Sequence, residues 1–244
     1  MRERLQHIRQ IYYSDQTKLE CWPDFTHYHN PTLSPFFENK CIYDILESKP
    51  HLNDNEWFGV LSPAFGTKAR GALGRSVTPY KLDTRLHECE GANLDVLGFF
   101  RTAQNLNNIK QGDNWHLRGQ TPNFSDIFAM IIDKAGIQYN INTRLRKNQN
   151  GRPCNFMSNF VIARYYLWIQ YFRDVLKPCM DVMETDEEIK KLVWQSAKYQ
   201  KDGRRKQILL KHLGVPYHPL HTFICERMWS MFVNKNRHLT FEHY

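Results

Sequence analysis

The sequence predicts an α/β fold, a sheet flanked by helices, and three observations carry that prediction. Two short runs, Trp57-Phe58-Gly59-Val60-Leu61-Ser62 and Asn93-Leu94-Asp95-Val96-Leu97-Gly98-Phe99-Phe100, are too dense in apolar side chains for half-exposed strands and read as strands covered on both faces. Helical periodicity appears between and after such runs, at residues 124–132 and 165–176. Strands that alternate with helices in this way build a layered sheet.

Taken in order, residues 7–13 are β-branched and aromatic and predict a first strand ending near Ser14-Asp15. Residues 21–35 hold three prolines and several aromatics and read as irregular. A helix follows from Ser34 or Pro35 through Glu38, Ile42, Ile45 and Leu46, and Pro50 marks its end. Asn53-Asp54-Asn55 is turn chemistry ahead of the first apolar run. Residues 104–122 are rich in Asn, Gln and Gly and predict a long loop of the kind that binds substrates. The amphipathic helix at 124–132 stops at Gly136, residues 156–162 predict a further strand, and the aromatic helix at 165–176 is expected to stop at Pro178. The last third reads as helices at 187–198, 204–213 and 220–233. No Gly/Ser-rich linker divides the chain, so residues 1–180 are assigned to the α/β domain and 181–244 to a helical portion packed on it.

Composition narrows the class. With 41% hydrophobic and 14% aromatic residues in 244, the chain has ample core material, while a mean hydropathy of −0.62 and the lack of any spanning-length apolar run predict a cytoplasmic protein with no membrane span. Lys and Arg number 33 against 25 acids, a net charge of +8. The excess is concentrated: Arg144, Arg146, Lys147, Arg152, Arg164, Arg173 and Lys177 face the single acid Asp174, and Lys198, Lys201, Arg204, Arg205, Lys206 and Lys211 face only Asp202. Such patches attract anions, whether a nucleotide diphosphate, a nucleic-acid backbone or an anionic lipid headgroup. The six cysteines form no Cys-x-x-Cys pair, which predicts free, mostly buried thiols in a reducing compartment. Several signatures are missing: G-x-x-x-x-G-K-[ST], G-x-G-x-x-G, G-x-S-x-G and H-E-x-x-H. Kinase, dinucleotide oxidoreductase, serine hydrolase and zinc protease readings lose their main support.

Four blocks, in order, carry a resemblance. They are Arg9-Gln10-Ile11-Tyr12-Tyr13; Phe37-Glu38-Asn39 leading to Trp57-Phe58-Gly59-Val60-Leu61-Ser62-Pro63-Ala64-Phe65-Gly66-Thr67-Lys68; Ser158-Asn159-Phe160-Val161-Ile162-Ala163-Arg164 with Trp168; and His221-Thr222-Phe223-Ile224-Cys225-Glu226-Arg227-Met228. Together they resemble bacterial capsular-polysaccharide and phage glycosyltransferases of the GT-A type. The resemblance implies a single mixed, Rossmann-like sheet whose strand ends bind a nucleotide sugar, a UDP-sugar first, with residues 1–180 as the donor-binding domain. It implies Asp95 and Glu226 as the carboxylates, Asp95 orienting the donor or holding Mn²⁺ or Mg²⁺ and Glu226 positioning sugar or acceptor. Lys68, Arg164 and Arg227 are the diphosphate contacts, since a sugar diphosphate needs cations around it. Tyr12 is placed near the base, and Gln10, Ser62, Phe65 and Asn159 complete the donor set; Trp57 and Phe58 are assigned to packing. GT-A proteins commonly carry Asp-x-Asp at a strand end, and this chain does not, which leaves metal dependence open. The acceptor is a glycan, a lipid-linked sugar or a hydroxymethylated DNA base. The alternatives are a non-enzymatic nucleic-acid binder using the basic region 144–211, which has no need of carboxylates in an anion cleft, and a relative that has lost catalysis.

Overall fold

The structure is a computed structural model that describes residues 3–31, 33–67, 77–99, 121–156, 160–197 and 203–244, Arg204 by its backbone alone. Among the described residues, the strands Ile8–Tyr12 (β1), Thr26–His29 (β2), Trp57–Leu61 (β3), Val96–Gly98 (β4), Val161–Arg164 (β5) and Phe241–His243 (β6) form one sheet in the order β2-β1-β3-β5-β4-β6. β1 runs parallel to β2 and β3, with Tyr12 opposite His29 and Gln10 opposite Leu61. β5 is antiparallel to both β3 and β4, and β4 is parallel to β6. Five strands therefore share one direction, and their carboxyl ends lie on one edge together with the amino end of β5.

Helices cover both faces. They are Glu38–Glu47 (α1), Pro79–Gly91 (α2), Phe124–Lys134 (α3), Tyr165–Tyr171 (α4), Lys177–Thr185 (α5), Glu187–Val193 (α6), Gly203–Leu213 (α7) and His221–Lys235 (α8). On one face Ile11, Val60, Val96 and Ala163 pack with α1, α3, α4 and α8 in a large core that holds Trp168, Tyr171 and Trp229. On the other, Ile8, Leu61, Leu97 and Ile162 pack with Leu82, Leu86 and Cys89 of α2. β3 is buried at every position, as its unbroken apolar run predicts for a central strand. All six cysteines are buried and free. No helix among the described residues is long and apolar enough to cross a membrane.

Several elements differ from the sequence reading. The irregular stretch 21–35 contains β2, an edge strand whose half-exposed Thr-His-Tyr-His pattern lacks apolar alternation. The strand expected at 156–162 begins only at Val161 and runs to Arg164. The aromatic helix does not stop at Pro178: the π turn Phe172–Leu176 widens the spiral, and Pro178 falls in the first turn of α5, where its missing N–H is tolerated. Helix α2 is absent from the sequence reading; Thr78 caps the N–H of Lys81, and Pro79 occupies its first position. The C-terminal portion is not helical throughout, because its last residues form β6 and complete the sheet. The long loop read at 104–122 lies outside the described residues up to position 120.

Candidate functional site

The carboxyl edge around β1 is built from a buried clamp. Gln10, fully buried, donates from Nε2 to the carbonyls of Ser62 (3.1 Å) and Pro63 (2.9 Å) and accepts the N–H of Trp22 at 2.8 Å. One side chain thus fixes the exit of β3 and the return after β1 against each other. Gly66 permits the closeness, since a Cβ there would stand 2.7 Å from Trp22 Nε1. Just beyond, the Tyr12 ring stacks on His29 at 4.8 Å between centroids, tilted by 20°, and the Lys18 ammonium stands 5.3 Å from the Tyr12 centroid. Two side chains of the same edge keep hydrogen-bonding capacity unspent: Asn30 Nδ2 and Ser62 Oγ are buried and meet no partner among the described residues. A buried polar atom left unpaired is costly, and a ligand that supplies its partner recovers that loss.

The same edge receives the first turns of α1 and α8. Phe37, the residue before α1, has φ 50° and ψ −123°, a conformation L residues rarely adopt, held by burial against His218. Asn39 donates to the Phe36 carbonyl at 3.1 Å and to Thr222 Oγ1 at 3.2 Å, tying the two helix starts together. One turn further along α8 lies Glu226, partly exposed, whose carboxylate is 3.6 Å from Arg227 Nη1. Arg227 is buried, donates to the Phe223 carbonyl at 2.6 Å and lies over the Phe124 ring, 4.9 Å to its centroid. Burial lowers its guanidinium, and Glu226 opposes the shift. Burial raises the Tyr13 phenol, and Glu38, which accepts its hydroxyl, raises it further.

The structure divides the residues that the sequence grouped. Gln10, Tyr12, Ser62, Glu226 and Arg227 belong to the carboxyl-edge half of the fold; Asp95 and Arg164 do not. Asp95 precedes the first residue of β4, and β5 runs the opposite way, so its last residue, Arg164, arrives at the amino edge as well. There Asp95 Oδ2 accepts the N–H and the hydroxyl of Thr240, both at 2.8 Å, and Oδ1 accepts the Tyr166 hydroxyl at 3.3 Å. Arg164 donates to the Asn55 carbonyl at 2.7 Å, lies 4.0 Å over Trp57 and faces Glu90 at 3.8 Å. Both are braces of the amino edge, removed from the carboxyl edge by the length of the strands, on the order of 10–15 Å. Phe65 is also reassigned: its ring is fully buried, packed edge-on against Trp22, Phe99 and Phe160, and has no face left for a ligand. Lys68 and Asn159 lie outside the described residues.

The Mn²⁺ or Mg²⁺ implied by the resemblance does not fit the acids present. Asp95 spends both oxygens on Thr240 and Tyr166, and no group of three or more His, Cys, Asp or Glu is suitably placed among the described residues. The basic region 144–211 does not form one face either. Arg146 is turned inward to the carbonyls of Val233 and Leu239, Arg164 lies at the amino edge, and Arg173 and Lys177 pair with Asp174 and Asp181. Sequence reasoning did not single out Lys18, His29 or Asn30, because β2, which leads to His29 and Asn30, is half-exposed and carries no apolar pattern. Comparisons with protein-family models, with curated proteins and with solved structures give no match for this chain.

Proposed function

We propose that this protein is a glycosyltransferase that takes its sugar from a nucleotide donor bound across the carboxyl ends of β1, β2 and β3. The observation that carries the reading is the Tyr12–His29 stack with Lys18 beside it, at a strand edge where Asn30 and Ser62 keep unspent polar groups. A flat ring pair suits a nucleobase, a nearby ammonium suits phosphate, and the amide and hydroxyl suit the hydroxyl-rich remainder of the donor. The mixed sheet, with one antiparallel strand among parallel ones, is the kind of sheet that the glycosyltransferase resemblance calls for, and ligands of open α/β sheets bind outside the carboxyl ends of the strands.

Each residue then has a physical task. Tyr12 and His29 hold the base, and Gln10 keeps the strand exits at fixed spacing. Glu226, the partly exposed carboxylate in the second turn of α8, positions the sugar or the acceptor hydroxyl, while Arg227 orients that carboxylate from the buried side. Asp95 and Arg164 have no part in the chemistry, and no step runs through a metal. The acceptor class is a glycan, a lipid-linked sugar or a hydroxymethylated base.

Thermal shift against UDP-, GDP-, CMP- and dTDP-sugars, with and without Mn²⁺ and with duplex DNA as a control, tests the reading. One nucleotide class at 100 times its dissociation constant should stabilise the protein by about 2.7 kcal/mol, and Tyr12→Ala should abolish most of that gain while melting at the same temperature without ligand. Indifference of both proteins to every donor overturns the assignment.

A further inference from the structure

Among the described residues three large aliphatic side chains stand exposed: Leu19 at 87%, Leu210 at 53% and Ile208 at 37%. Scattered singly such residues need no explanation, but these three share the carboxyl edge of the sheet. Leu19 ends the short helical turn Asp15–Lys18 that follows the carboxyl end of β1. The other two belong to α7, and α7 reaches the same edge. The Arg205 guanidinium lies 6.0 Å from the ring centroid of Phe37, the residue before α1, and its charge opposes the rise of the Tyr13 phenol just beyond β1.

Helix α7 is basic throughout. Its residues include Arg204, Arg205, Lys206 and Lys211 and no Asp or Glu. Leu209 is fully buried and fastens the helix to the body of the protein. At 100° per residue the opposite face reads Leu210, Gln207, Lys211 and Ile208 in angular order, with Lys206 beside Leu210. Lys206 and Lys211 are exposed. A face meant only for water has no use for aliphatic margins, and a nucleic-acid backbone would leave them wet. The acyl boundary of a bilayer takes them in, and anionic headgroups match the bases between and beside them.

We propose that the carboxyl edge docks on an anionic lipid surface, with Leu19, Ile208 and Leu210 entering the headgroup region and Lys206 and Lys211 facing lipid phosphates. The donor stack at Tyr12 lies on this same edge. Resting on the donor reading above, the docking surface selects the lipid-linked sugar among the acceptor classes.

Flotation with vesicles of phosphatidylcholine alone, and of phosphatidylcholine with one quarter phosphatidylglycerol, is the measurement, with duplex DNA binding assayed in parallel. Wild type should partition onto the anionic vesicles and not the neutral ones, and added salt should weaken it. Each lysine near an anionic surface is worth about fivefold, so the double variant Lys206→Gln, Lys211→Gln should lose roughly 25-fold. Leu19→Gln and Leu210→Gln should each lose about tenfold. These side chains are exposed, so the melting temperatures should hold. Lys235→Gln should leave partitioning unchanged, because Lys235 ends the 15-residue helix α8, roughly 20 Å from its start at the carboxyl edge. Tyr12→Ala should float as wild type does, which separates this test from donor binding: donor stabilisation without flotation overturns the docking surface alone, and flotation without donor stabilisation upholds docking and overturns the donor reading with its acceptor. Equal partitioning onto neutral vesicles overturns the proposal. So do lysine variants that lose binding while both leucine variants stay silent, or binding of duplex DNA without vesicles, which would make α7 a nucleic-acid face.

Discussion

Gln10 shows how much one buried amide organises at the residue scale. It satisfies two carbonyls and one N–H from three separate chain positions while presenting nothing to solvent. Gln10→Leu keeps the volume and removes all three bonds, so it should destabilise the fold by about 2–4 kcal/mol, read as a lower urea midpoint at unchanged slope. Asp95 makes the opposite point. An acid beside an apolar strand looks like a catalytic group in the sequence, but its carboxylate closes a local loop with Thr240 and Tyr166. Asp95→Asn should cost about 1 kcal/mol of stability through the weakened bonds and leave donor-induced stabilisation intact. Loss of donor stabilisation in a folded Asp95→Asn protein would return this residue to the site.

At the scale of elements, the short strand β4 depends on Gly98 having no side chain. A Cβ there would stand 2.5 Å from Phe156 Cδ1 and 3.0 Å from His243 Nδ1, both in rings held by stacking on each other. Neither ring can yield alone, so Gly98→Ala should destabilise by about 1–3 kcal/mol in chemical denaturation. The loss falls on the three-residue strand that joins β5 to β6. The antiparallel course of β5 decides more than packing. It carries Arg164 away from the edge where the other strands end, and so undoes the grouping of Arg164 with Tyr12 and Ser62.

The whole molecule carries a pH dependence in two buried histidines. Burial lowers His221 to about 3 and His243 to about 4. Both are neutral when folded and take up protons on unfolding below the ordinary value near 6.5, so the unfolded state binds more protons in that interval and stability falls as pH falls through it. Each contributes about 1.4 kcal/mol per pH unit there, and acidification from pH 7 to pH 5 should lower stability by roughly 2–4 kcal/mol. His221 packs edge-on against Phe36 and Trp194, so His221→Phe should fold and lose about half of this dependence in urea midpoints taken at both pH values. An unchanged pH profile in that variant would remove His221 as a source.

The amino-acid sequence by itself determined the α/β class, the central position of β3, the first strand, the helices α1, α3 and α8 and the buried thiols. Each of these follows from local periodicity or from an apolar run, quantities carried by neighbouring residues. Tertiary structure alone decided which candidates share a site. Tyr12 and Ser62 come to one edge through parallel pairing, Asp95 and Arg164 are sent to the opposite edge by strand direction, and His29 and Asn30 enter through an edge strand, or just after it, with no apolar signature. Strand order and direction are set by contacts between residues far apart in the chain, and no local pattern encodes them.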